Sequence, residues 1–119
     1  MIRAHQASLT ADGSSPLLQG WRVRRTLAAP VSYSGPSFLS PHHRRLTLRP
    51  APAGTGLLFR RTDLPREPAL PAHVDYLLHS DRRTALAIEG TRVEMTEHIL
   101  SALSGMGVTD CVIELDGVE

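Results

Sequence analysis

Glu97 and His98 form the one place in this chain where a carboxylate directly adjoins an imidazole. A carboxylate can take a proton from water, and a neutral imidazole can ligate a divalent metal. The pair falls in the first turn of the one well-patterned helix, where the exposed N–H groups and the helix dipole shape the local field. Two readings follow. In the structural one, Glu97 complements the positive end of the dipole and His98 is an ordinary polar residue. In the chemical one, His98 ligates Zn²⁺ and Glu97, outside the coordination sphere, acts as general base. A catalytic zinc ordinarily takes three protein ligands and an open position. One histidine is too few, so the other ligands must be dispersed in the chain or come from beyond it. The remaining histidines are His5, His42, His43, His73 and His79, and no two share the spacing of a helical metal motif.

The rest of the composition narrows the function classes. The formal charge is +1, and all 13 basic residues are arginine, since no lysine occurs. That near-balance argues against a dedicated nucleic-acid binder. Arginines come in pairs at Arg24–Arg25, Arg44–Arg45, Arg60–Arg61 and Arg82–Arg83, read as solvated strand edges that are also able to meet phosphate or carboxylate. Cys111 is the sole cysteine, between Asp110 and the apolar Val112-Ile113. It is expected to be a buried structural thiol in a reducing compartment. No segment is long and apolar enough for a transmembrane span and the N-terminus lacks a signal-type apolar core, which together give a cytoplasmic expectation.

With 119 residues and 41% hydrophobic content, the chain can bury one compact core. Residues 1–20, rich in Ser, Ala and Gly, read as a flexible leader, and 21–119 as the folded domain. Strand patterns occupy 21–27 and, after Pro30, Val31 and Tyr33. Residues 44–49 alternate, Leu46 and Leu48 opposing Arg45, Thr47 and Arg49. Residues 57–61 give another strand, expected to be the antiparallel neighbour of 44–49. Pro65, Pro68 and Pro71 make 64–72 an extended crossing. Strands are expected at 74–78, 84–88 and 91–95, the last two joined by a Glu89-Gly90 turn. The helix spans 96–106, with Ile99, Leu103 and Met106 on its inner face and Gly105 and Gly107 as the stop. A closing strand follows at 111–115. The fold class is α+β, a mostly antiparallel sheet packed on a helix.

The segment TLRPAPAGTGLLFRRTDL, residues 47–64, is very similar to the strand–loop–strand of the UDP-3-O-acyl-N-acetylglucosamine deacetylase family. Arg25-Thr26-Leu27 upstream reinforces the match. Downstream, residues 96–107 (TEHILSALSGMG), Asp110 and Val112-Ile113-Glu114-Leu115 resemble the family's Glu-His helix and following strand. The match runs from Trp21 to the C-terminus, poorly aligned only over 70–83. There are departures. The family's Gly-x-Gly-Leu-His-Ser/Thr-Gly turn is here Gly35-Pro36-Ser37-Phe38-Leu39-Ser40-Pro41, with Leu39 in place of the histidine. Met95-Thr96 stands where Thr-Val is commoner.

The resemblance implies that Glu97 is the general base and His98 one ligand of a catalytic Zn²⁺. It implies hydrolysis of the N-acetyl group of a UDP-sugar lipid on the route to lipid A. The family architecture is a sandwich of two similar α+β domains, and this chain corresponds to the N-terminal one. The second domain supplies an acid/base histidine and the His-x-x-x-Asp pair that completes the metal site. Those segments have no counterpart up to Glu119, so the chain alone is expected to be inactive and to expose an apolar face. Its expected partner is a second deacetylase domain or chain, or another copy of itself. The alternative is a non-catalytic binding, regulatory or dimerising module that retains the fold.

Overall fold

The computed structural model describes residues 2–5, 23–79 and 81–119. The chain runs β1 (Ile2–His5), β2 (Arg24–Leu27), β3 (Val31–Pro36), β4 (His43–Pro50), β5 (Leu57–Arg61), β6 (Ala69–Pro71), a 3₁₀ turn (Val74–Tyr76), β7 (Leu77–Leu78), β8 (Ala85–Ile88), β9 (Thr91–Glu94), α1 (Thr96–Gly105) and β10 (Cys111–Leu115). The fold is α+β, as expected. Trp21 and most of the expected leader lie outside the described residues, but Ile2–His5 pairs antiparallel with β2.

Five strands form the main sheet in the order β3-β4-β10-β5-β6, and three form a smaller one, β7-β8-β9. The last strand is central. Strand β10 lies antiparallel to β4 and parallel to β5, so β4 and β5 are not the antiparallel neighbours their sequence proximity implied. Cys111, Ile113 and Leu115 alternate inward along β10 and are buried, as is Phe59 on β5. A strand covered on one face by the core and flanked on both edges satisfies its backbone completely. Of the proline-bearing strands, β3 and β6 sit at the sheet edges, where a missing N–H leaves no gap in a ladder, while the interior β4 carries Pro50 at its last position. The proline-rich crossing thus contributes strand β6, whose Leu70 is buried opposite Phe59.

Helix α1 lays Leu103 into this core, with Ile99 and Leu100 packed against its margin. Met106 departs from the expected inner face and is exposed. The helix ends in a Schellman turn: Gly107 takes φ 73°, its N–H donates to Ser104 O at 3.0 Å, and Val108 N–H donates to Leu103 O at 2.9 Å. Val108, just past the turn, is buried in the same core cluster as Leu103. The strand expected over 74–78 shrinks to Leu77–Leu78, because His73 Nδ1 accepts the Asp75 N–H at 3.1 Å and turns the preceding residues into a 3₁₀ cap. The β8–β9 hairpin follows expectation, with Glu89 and Gly90 both at positive φ.

In the three arginine pairs that lie on strands, on β2, β4 and β5, one member is more exposed than the other, as alternation requires, whereas Arg82–Arg83 precedes β8 in a turn. Arg61 is buried, holds Asp63 through two hydrogen bonds and donates to Arg92 O at 2.7 Å. Arg24 reaches the fully buried Asp110. Neither is a solvated edge. Cys111 is buried and free, and burial pushes its thiol up, as suits a structural role.

Candidate functional site

Strand β9 turns sharply into α1 at Met95, which adopts the left-handed conformation with φ 55°. A non-glycine residue there stores strain that surrounding contacts must hold. Met95 provides no side-chain cap, so the first turn depends on other donors and acceptors. Thr96 N–H and Thr96 Oγ1 both donate to Thr84 O, at 3.1 and 3.3 Å, and Thr96 is buried. Entry into the helix is thus pinned to the start of β8.

That anchorage presents Glu97 and His98 on the first turn. The Glu97 side chain is 33% exposed, and its Oε2 accepts the Thr84 N–H at 3.0 Å. Its Oε1 lies 3.8 Å from His98 Nε2, beyond hydrogen-bond range. Consecutive helical residues do not normally face one another, yet both side chains are long enough for their tips to converge. His98 is 75% exposed, with an imidazole open to solvent. The carboxylate has one oxygen anchored and the other free.

His98 also lines a mainly apolar hollow of about 250 Å³ between the end of the β3–β4 hairpin and the start of α1, with Tyr33, Phe38, Leu46, Met95 and Ile99. Phe38 is 83% exposed at its rim. The turn at 35–41 is held at its base by Ser37 N–H to His42 O at 2.8 Å. From the far end of the chain, Glu119 accepts the Leu39 N–H at 2.6 Å and the Ser37 hydroxyl. Sequence reading gave Glu119 no role in shaping this rim, and 80 residues of separation conceal the contact.

The structure brings Glu97 and His98 together, and it also sets His73 Nδ1 3.3 Å from Asp75 Oδ2 on the exposed 3₁₀ turn. His42, His43, His73 and His79 are exposed, and among the described residues no group of three or more His, Cys, Asp or Glu is placed to hold a metal. The donor set therefore fits one corner of a tetrahedral zinc site. A second carboxylate close by serves the scaffold: Glu94 is buried and pairs with Arg83 at 3.4 Å and with Arg92.

At the other end of the helix, Asp110 carries a denser set of contacts. It accepts two hydrogen bonds from Arg24, the N–H groups of Gly54 at 3.0 Å and Gly56 at 2.9 Å, and the Thr109 hydroxyl at 2.9 Å. Burial pushes its carboxyl up, but the Arg24 guanidinium, the Gly56 N–H and the Thr109 hydroxyl hold it below the ordinary value. All its lone pairs are engaged, so it fixes the β4–β5 loop and has no oxygen left for chemistry.

Residues 24–119 match the family described as UDP-3-O-acyl N-acetylglycosamine deacetylase. The chain is 43% identical over 96 residues to the UDP-3-O-acyl-N-acetylglucosamine deacetylase of Myxococcus xanthus, covering 81% of this chain and 31% of that protein. Over 96 residues it is 38% identical to the bifunctional enzyme LpxC/FabZ of Chlorobaculum tepidum, again 81% of this chain but 21% of the relative. A third relative, the deacetylase of Thermosynechococcus vestitus, is 35% identical over 111 residues, or 93% of this chain and 38% of its own length. The chain spans about a third of the length of the curated relatives it matches, or less. The quoted motifs and the extent of these matches lead to one assignment: this chain belongs to the UDP-3-O-acyl-N-acetylglucosamine deacetylase family.

Proposed function

We propose that this chain supplies the general base and one metal ligand of a deacetylase that hydrolyses the N-acetyl group of UDP-3-O-acyl-N-acetylglucosamine in lipid A biosynthesis. The observation that carries this reading is the Glu97–His98 pair, exposed on a pinned helix start in a chain of this family. His98 would hold Zn²⁺ by a ring nitrogen, with the other ligands from outside the described residues, and the ion would polarise the amide carbonyl and make water easier to deprotonate. Glu97 Oε1 takes the proton of the attacking water. As the C–N bond breaks, the carboxyl returns a proton to the leaving nitrogen, and the products are acetate and the free amine.

Residues 21–119 then act as the N-terminal domain of a two-domain enzyme working in the cytoplasm. The second domain covers the apolar hollow beside His98. Among the described residues no helix is long and apolar enough to cross a membrane.

A second reading is a non-catalytic module. Leu39, where the family motif has histidine, and an exposed apolar rim at Tyr33 and Phe38 favour it. The deciding experiment joins this chain to the remaining part of the Myxococcus xanthus deacetylase and measures acetate release. Zinc-dependent hydrolysis that Glu97→Gln abolishes supports the enzyme reading. A folded, inactive joined protein supports the module, and a defined dimer of the 119-residue chain by light scattering would assign that module to self-association.

A further inference from the structure

The anchorage of Glu97 involves a group that no side-chain motif reveals. A carboxylate that serves as base must present one oxygen in a constant direction, and a free glutamate has three side-chain torsions over which to wander. Here Oε2 accepts the backbone N–H of Thr84 at 3.0 Å, which leaves Oε1 on the side of His98 Nε2, 3.8 Å away. The N–H belongs to a residue held from both sides. The Thr84 carbonyl receives the Thr96 N–H and hydroxyl at 3.1 and 3.3 Å, and Thr96 is 1% exposed. On the preceding side, the Arg83 guanidinium pairs with buried Glu94 at the end of β9. Donor and acceptor of one residue thus meet two consecutive residues of α1, and neither the helix nor β8 can shift without breaking both contacts.

We infer that Thr84 is a positioning residue: its backbone N–H holds one oxygen of Glu97 so that the other faces the reacting water beside His98. The inference rests on the reading of Glu97 as general base. The side chain of Thr84 takes no part, so the role is invisible to substitutions that keep the amide. An anchored oxygen also explains how a one-third-exposed glutamate on a first helical turn keeps its orientation without a side-chain N-cap at Met95.

Two measurements test this, and they fail separately. In the 119-residue chain, hydrogen exchange followed by NMR is expected to show the Thr84 amide exchanging about tenfold faster or more in Glu97→Ala, with the ladder amides of β8 unchanged. Unchanged exchange at Thr84 overturns the anchor. In the joined protein, Thr84→Pro removes the N–H and is expected to lower kcat about tenfold or more with KM within about twofold, whereas Thr84→Ala keeps the amide and recovers the rate. Equal effects of the two substitutions, or a change confined to KM, overturn the positioning role. Should Thr84→Pro fail to fold, the exchange measurement still decides. If exchange responds but Glu97→Gln retains full kcat, Glu97 is not the base, and the reading on which this role depends falls.

Discussion

Asp110 and Glu97 are both carboxylates beside an end of α1, and their surroundings are opposite. Asp110 is 0% exposed and accepts from a guanidinium, two glycine N–H groups and a hydroxyl. Glu97 is partly exposed, with one backbone donor on one oxygen and an unbonded imidazole near the other. A buried carboxylate with every lone pair engaged ties three chain segments together, since releasing any partner leaves a charge or an N–H without solvent. A carboxylate with one tethered oxygen keeps a fixed direction and retains a lone pair for a proton. The same functional group is therefore scaffold at one end of the helix and a candidate reagent at the other.

The sharpest way to break this contrast is to exchange the consequences. Glu97→Gln in the joined protein is expected to reduce kcat/KM by about 10²–10⁴-fold, the usual contribution of a general base, with little change in the unfolding midpoint. A large loss of stability with activity intact would make Glu97 a second scaffold residue. Asp110→Ala should do the reverse. It strands Arg24 and the N–H groups of Gly54 and Gly56, at a cost of about 3 kcal/mol in urea unfolding of the chain.

Acid should act at two scaffold carboxylates, Asp63 and Asp110. The two Arg61 hydrogen bonds are the main cause holding the Asp63 carboxyl down, and Asp110 is held down despite its burial. A carboxyl lowered in the folded state contributes stability that is complete above its unfolded pKa of about 3.9 and is lost as pH falls through the folded value. Urea midpoints should therefore be flat from pH 7 to about pH 5 and decline below about pH 4. Asp110→Ala should decline less steeply, and an unchanged slope would remove Asp110 from the account.

Smaller effects are expected at the helix start. Met95→Gly relieves a left-handed non-glycine residue and should raise stability by about 0.5–1 kcal/mol in thermal unfolding. A decrease would mean that Met95 packing in the hollow outweighs the backbone strain. His98→Ala should leave stability within about 0.5 kcal/mol, because an imidazole this exposed makes few contacts to lose.

Much of the scaffold was legible in the residues. Period-two alternation located β4, the Glu89-Gly90 dipeptide placed the β8–β9 hairpin, and the 3.6-residue period with glycines beyond it located α1. These signals are local, written within one element. Order in the sheet is not. Nothing in residues 44–61 announces that β10 must come between β4 and β5 from 50 residues downstream. Local competition also defeated the strand reading at 74–76, where a histidine nitrogen offered the backbone a different partner.

By itself the sequence determined the α+β class, the adjacency of Glu97 and His98 and the family to which their setting belongs. Side-chain type, period and motif suffice for these, since each is a property of neighbouring residues. Only the tertiary structure decided that Asp110 is saturated while Glu97 is half free, and that Glu119 meets the turn carrying Leu39. It alone identified the donor that tethers Glu97, the amide of Thr84. Every residue except proline carries such an amide, so only where the chain folds back can single one out.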